Sequence, residues 1–202
     1  MLDKVSYEIT IVFTEAMLGT VAKDPEIYKT YIESKKPETE KEEEHLNVEK
    51  TEEKGWTGFH KNEEGIFIYN YMIKGMLKNA GNILKEQLKI KALRSKITNH
   101  IFITPRHVFF TGKTGRKLKK HDSVVERPIQ CQTPLGPRVS LARSEAMNEG
   151  RTLKFQIELI DHKEIKEKTI RTLLDYGSRC GLGQFRTGGF GSFKVTKFVK
   201  VK

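Results

Sequence analysis

Cysteine is scarce in this chain: of 202 residues only Cys131 and Cys180 are thiols, isolated from each other and without metal-type spacing. That argues against a disulfide framework or a cysteine zinc site and favours a reduced, cytoplasmic protein. Long apolar runs are absent too, so no segment reads as a bilayer-spanning helix. The opening MLDKVSYEITIVF alternates like a strand rather than resembling a signal peptide. No Gly-Lys-Ser/Thr follows a glycine run, which excludes a Walker phosphate loop. There is no His/Cys/carboxylate cluster for zinc, no evident Ser-His-Asp motif and no repeat at a fixed period. Neither metal nor cofactor is therefore expected.

What the chain has is positive charge, unevenly placed. Residues 1–54 hold 8 Lys/Arg and 14 Asp/Glu, a net of −6, whereas residues 55–202 hold 29 and 12, a net of +17. A region so basic suits a polyanion, nucleic acid before membrane, because no basic amphipathic segment with a broad apolar face stands out.

Val5, Tyr7, Ile9, Ile11 and Phe13 alternate as a half-buried strand. Asp24-Pro25-Glu26 is a helix start. Residues 35–54 are charge-rich and poor in apolar side chains, and read as a flexible acidic insertion. Order resumes in a strand at 65–69, followed by a helical stretch from about Tyr71 to Leu93, weakened by Gly75 and Gly81. Short strands are expected at 101–103 and 108–110, and a basic loop at 113–121. Residues 124–143 form a hairpin arm around Thr133-Pro-Leu-Gly-Pro137. Leu153, Phe155, Ile157 and Leu159 give the cleanest alternation, a helix spans 164–176, and a last strand carries Phe193 and Val195. This order predicts one α+β domain over 1–202, an antiparallel sheet of ferredoxin-like or RNA-recognition-like type with helices on one face.

The sharpest motif is Gly181-Leu-Gly-Gln-Phe-Arg-Thr-Gly-Gly-Phe-Gly191: two glycine–apolar–glycine triplets enclosing Arg186. Glycine reaches φ > 0 and permits close backbone approach. The loop is therefore expected to fold tightly, anchored by Leu182 and Phe190, with backbone N–H groups turned outward as an anion nest beside Arg186. A glycine-rich hairpin without a ligand is the plainer alternative.

This spacing resembles the C-terminal glycine-rich loop of the RAMP superfamily, the repeat-associated RNA-binding proteins of CRISPR systems. Tyr71-Met-Ile-Lys-Gly-Met-Leu-Lys78 is similar to the stretch that opens the first core helix in RAMP backbone subunits, although they usually have Pro-Gly-Ser where this chain has Lys74-Gly75-Met76. Arg127 to Arg143 sits where those subunits carry a thumb hairpin, and Ser144 to Glu158 resembles their turn into an alternating strand. The resemblance touches about two thirds of the chain and excludes the acidic insertion. It implies a single-stranded RNA-binding protein most like the repeating backbone subunit of effector complexes, partnered by CRISPR subunits or assembled head-to-tail. A solitary phage or mobile-element member also fits this resemblance.

The residues expected to bind RNA are Lys74, Lys78, Arg127, Arg138, Arg143 and Arg179, with Gly181, Gly183, Phe185, Arg186, Gly188, Gly189 and Gly191 in the loop. Phe185 is the expected stacking residue, whereas Tyr69 and Tyr71 are assigned to the core. Metal-free RNA cleavage needs a base near the 2′-hydroxyl and a cation. His60, His100, His107 and His121 form no recognisable constellation, and the first histidine, His45, lies in the insertion. A non-catalytic binder is expected. The rivals are a metal-independent endoribonuclease of the same fold, a protein that mimics or inhibits a CRISPR complex, and a single-stranded DNA-binding replication accessory.

Overall fold

The structure, a computed structural model, describes residues 3–23, 56–133 and 136–201. The acidic insertion and the Asp24-Pro25 helix start lie outside the described residues, as do the side chains of 129–133, 137, 138 and 140.

Strand β1 (Lys4–Phe13) realises its alternation: Tyr7, Ile9, Ile11 and Phe13 are buried. It lies between β11 (Thr152–Ile160) and β12 (Phe193–Val201), antiparallel to both, with Ile9 opposite Phe155 and Phe198. On its far side β11 pairs with β7 (Ile101–Thr104) and then β8 (His107–Thr111), which a cis Thr104–Pro105 peptide separates. β6 (Gly65–Tyr69) and β5 (His60–Asn62) extend the edge, giving a seven-stranded sheet. Reading β7 and β8 as one interrupted strand, the central order β12–β1–β11–β7/β8 is the antiparallel 4-1-3-2 order of a ferredoxin-like fold.

Helices α1 (Asn70–Leu84), α2 (Leu93–His100) and α3 (Glu167–Cys180) pack on the face that carries Tyr7 and Ile9. α1 buries Ile73, Met76, Leu77, Ala80 and Leu84, the i, i+3, i+4, i+7 pattern of an inward stripe. Each of these side chains other than Ala80 contributes about 1.5–3 kcal/mol on burial. The glycines in these helices are contact points. A Cβ on Gly81 would meet Ile97 at 2.3 Å, and one on Gly177 would meet the Met76 sulfur at 2.7 Å. The helix expected over 71–93 instead ends at Leu84, and Lys89 and Ala92 take left-handed φ of 54° and 52° before α2 begins.

The arm is longer than expected: β9 (Ser123–Thr133) and β10 (Gly136–Met147) pair in register from Ala146–Ser123 to Gly136–Thr133. The base of β10 also joins β2 (Met17–Leu18) and β4 (Thr57–Gly58), and β4 joins β3 (Val21–Ala22), forming a second, five-stranded sheet.

Candidate nucleic-acid interface

The glycine loop leaves α3 at Gly181 and enters β12 at Phe193, at the end of the sheet where the arm is rooted. Gly181, Gly183, Gly189 and Gly191 all have positive φ, between 76° and 90°, as the motif requires. Several of its amides are turned inward rather than outward. Leu182 N–H donates to Gly191 O, Gln184 to Leu18 O, Gly188 to Phe185 O, Gly189 to Arg186 O and Gly191 to Ala16 O. Those five donors are satisfied inside the protein because the loop docks on β2 and on itself. Close approach is the use of its glycines. A Cβ on Gly191 would lie 1.8 Å from Leu182 O, one on Gly183 2.6 Å from Leu18 O, and one on Gly181 2.5 Å from Phe190 O. Gly188 leaves space for the Phe185 ring, whose nearest atom would lie 2.4 Å from a Cβ, while Gly189 faces open space. Leu182 is buried as expected; Phe190 is only half-buried.

Gln184 fastens the loop to the arm. Its Oε1 accepts hydrogen bonds from Thr57 Oγ1 at 3.1 Å and Ser144 Oγ at 3.2 Å. Phe185 is then held outward, 46% exposed and in a left-handed backbone conformation, φ 52°. The Arg127 guanidinium of β9 stacks over its ring, 4.4 Å from the centroid. Arg127 Nη1 is buried and has no hydrogen-bond partner among the described residues. Burial pushes the Arg127 pKa below the ordinary arginine value. A partly desolvated guanidinium with a donor unpaired among the described residues is suited to an oxyanion.

Arg179, at the end of α3, and Arg186 are exposed near this junction. Arg143 is exposed but pairs with Glu126, its cross-strand neighbour, at 2.9 Å. Arg138 lies on the arm, and its side chain is outside the described residues. Lys74 and Lys78 do not join the loop through any described contact. Lys74 Nζ donates to Thr98 O at 2.8 Å and sits 4.8 Å from the Phe102 ring centroid, tying α1 to the α2–β7 segment. Burial, and then Lys78 nearby, holds its pKa below the ordinary lysine value.

Two features escaped the sequence reading. One is Glu145 at the root of β10, fully buried. Its carboxylate meets Lys23 Nζ at 2.6 Å, Lys61 Nζ at 3.0 Å, His121 Nδ1 at 3.0 Å and the Phe59 N–H at 3.1 Å. Burial alone would raise its pKa; the hydrogen bonds from Lys23, Lys61 and Phe59 N–H outweigh that and hold it below the usual glutamate value. The other is a group of rings on the sheet face away from the helices. Tyr69 and Tyr71, assigned to the core by the sequence, belong there instead: Tyr71 is 60% exposed and Tyr69 half-buried.

No family model and no curated protein matches the sequence. Among solved structures, a chain of "Cryo-EM structure of the Type III-B Cmr-beta bound to cognate target RNA" matches with a TM-score of 0.53 at 13% identity. The match covers 98% of this chain and 61% of that one, so the chain spans under two thirds of its neighbour's length. The likeness is one of fold. Among the described residues no helix is long and apolar enough to cross a membrane, and no group of His, Cys, Asp or Glu is placed to hold a metal ion.

Proposed function

We propose that this chain is a non-catalytic, single-stranded RNA-binding protein of RAMP type, gripping the phosphate backbone where the arm meets the glycine loop. The observation that carries this reading is Arg127: a half-buried arginine whose Nη1 has no hydrogen-bond partner among the described residues, stacked on the exposed Phe185 of the loop. Arg179 and Arg186 supply further positive charge around it, and the +17 region supplies the field that draws a polyanion. The RNA-bound neighbour of similar fold adds support, as does the resemblance of this chain's motifs to those of CRISPR backbone subunits. Head-to-tail assembly along RNA belongs to the same proposal. The arm exposes Val124, Val139 and Leu141, apolar side chains suited to a neighbouring subunit, whether another copy or a CRISPR effector subunit.

The test is binding of an unstructured RNA by fluorescence anisotropy across a salt series. Arg127→Ala removes hydrogen bonds from a charged group, so affinity should fall by about 1.5–3 kcal/mol. The slope of log K against log salt should shrink by about 0.7, the loss of one phosphate contact to a single strand. Equal affinity and equal slope would defeat the proposal.

Cleavage is the second reading, favoured by one observation: His121 stands beside a carboxylate and two ammonium groups at Glu145. Incubating RNA with the protein in EDTA, beside His121→Ala, separates the readings. Intact RNA supports binding alone, and cleavage that disappears with His121 establishes the endoribonuclease.

A further inference from the structure

The face of the main sheet opposite the helices is expected to be polar, and over its centre it is, with Glu8, Lys154 and Gln156 pointing there. Toward the β8–β6–β5 edge it changes character. In this register His60 stands opposite Phe67, Phe67 opposite Phe109, and Tyr69 opposite His107, so all five rings lie on one face. Phe67, only 4% exposed, is the floor of the group. Around it His107 lies at 4.3 Å, Tyr69 at 5.4 Å, Phe109 at 5.6 Å and His60 at 5.7 Å between ring centroids. Tyr71, the first exposed residue of α1, stacks on Tyr69 at 5.2 Å and 16°. This builds a continuous ring surface that ends in an open aromatic face.

Cations border these rings. Arg106 lies 5.7 Å from the Tyr69 ring centroid and Lys117 3.9 Å from that of Phe109. A cavity of about 540 Å³ beside them is lined by Arg106, His107, Phe109, Lys117 and Lys154, with no carboxylate among the described residues of its wall. Glu64 reaches Lys117 from the rim and is the acid that must be displaced or bridged. His60 is held below the ordinary histidine pKa by burial first and by His107 second. Stacked rings beside cations match the two parts of an unpaired nucleotide: a flat base and an anionic phosphate.

We propose that this face is a base-stacking platform for single-stranded RNA, with Tyr71, Tyr69 and His107 receiving unpaired bases while Arg106 and Lys117 hold the adjoining phosphates. It deepens the RNA-binding reading above and rests on it, yet it is a separate surface from the arm and glycine loop. The occupant is single-stranded rather than duplex RNA, because a paired base buries both of its faces in its own stack.

The experiment compares an unstructured 20-nucleotide RNA with its duplex, using wild type, Tyr71→Ala, His107→Ala and Arg127→Ala, each beside a melting curve. Tyr71→Ala and His107→Ala should each weaken single-strand binding by about fivefold to a hundredfold, the range for losing one stacked base. They should leave the salt slope and duplex binding unchanged. Ultraviolet crosslinking of a 4-thiouridine RNA to the unaltered protein, read by mass spectrometry, needs no variant and should mark peptides holding Tyr69, Tyr71 or His107. If neither ring variant weakens the single strand while Arg127→Ala does, or crosslinks fall only around Phe185, the platform is refuted while the glycine-loop reading stands. If Arg127→Ala binds normally and the ring variants do not, the platform stands and the glycine-loop reading fails. If the ring variants weaken single strand and duplex alike, stacking is not the mechanism and the proposal is overturned. The same holds if wild type binds neither RNA but the face captures a protein.

Discussion

Replacing Glu145 by glutamine tests how the arm is held to the body. The side chain is fully buried, and its oxygens meet Lys23, Lys61, His121 and the Phe59 N–H within 3.1 Å. Glutamine keeps the shape but removes the charge, and turns an N–H₂ toward two ammonium groups. Breaking a buried ion pair by removing one partner costs about 3–5 kcal/mol. Here Lys23 and Lys61 keep side-chain exposures of 38% and 42%, so they can turn to water and the loss is smaller. We expect about 2–4 kcal/mol. For a chain of this size, 1 kcal/mol corresponds to roughly 2–4 °C, so Tm should fall by about 4–16 °C. Circular dichroism melts at pH 7, with urea titrations alongside, measure it.

The same carboxylate makes a pH statement. Its folded pKa is depressed, so its contribution is fully present above the unfolded glutamate value of about 4.3 and is lost as pH falls through the lower, folded value. The Glu145→Gln penalty should therefore shrink when both proteins are melted in acid. A variant that melts within about 1 °C of wild type at pH 7, or whose deficit is independent of pH, would refute the reasoning.

Other expectations follow from neighbouring parts of the molecule. Gly191→Ala places a Cβ 1.8 Å from Leu182 O at φ 76° and should destabilise by several kcal/mol. Gly189→Ala meets nothing but carries the left-handed penalty, so it should cost about 1–2 kcal/mol; paired melts distinguish a packed loop from a merely flexible one. Deleting residues 35–54 should leave Tm unchanged and RNA affinity equal or higher, since the segment is acidic and poor in apolar side chains; loss of folding would show that it is integral to the domain. His60 has a folded pKa below its unfolded value, so stability should decline as pH falls from about 6.5 toward that lower value, and His60→Gln should flatten the decline in pH-dependent melts.

Period-2 patterns made the main sheet legible. Tyr7-x-Ile9-x-Ile11-x-Phe13 and Leu153-x-Phe155-x-Ile157-x-Leu159 each carry one buried face, and those two strands pair at the centre. The second sheet was not legible, because β2, β3 and β4 have two residues each, too few for a period. The end of α1 was also hidden. Lys85 to Ala92 contains neither glycine nor proline, and its left-handed residues are a lysine and an alanine. The ring face was misread for a different reason. A tyrosine in a strand suits the core or the open face equally, and only the register with β8 decides between them.

The glycine loop shows how a motif can be right in conformation yet incomplete in role. Glycine permits positive φ at Gly181, Gly183, Gly189 and Gly191, and the backbone adopts it. The direction of the amides is not local. It depends on Leu18 O and Ala16 O, carbonyls more than 160 positions earlier in the chain, which draw Gln184 and Gly191 inward. The Gln184 and Gly191 amides engaged there cannot also hold phosphate without undocking the loop from residues 16–18. In the proposed reading, anion binding at this junction falls first to Arg127, whose Nη1 is buried and unpaired among the described residues. The tight glycine packing then has a binding consequence of its own. It fixes Phe185 in a left-handed conformation with its ring outward, and that ring is the surface on which the Arg127 guanidinium lies. Replacing Phe185 by leucine would remove the stacking partner and keep apolar bulk. RNA affinity should then fall nearly as far as in Arg127→Ala, because a guanidinium freed from the ring loses the orientation of its donors. Unchanged affinity in that variant, with an unchanged melt, would mean that Arg127 needs no platform and that the Phe185 ring has no part in binding.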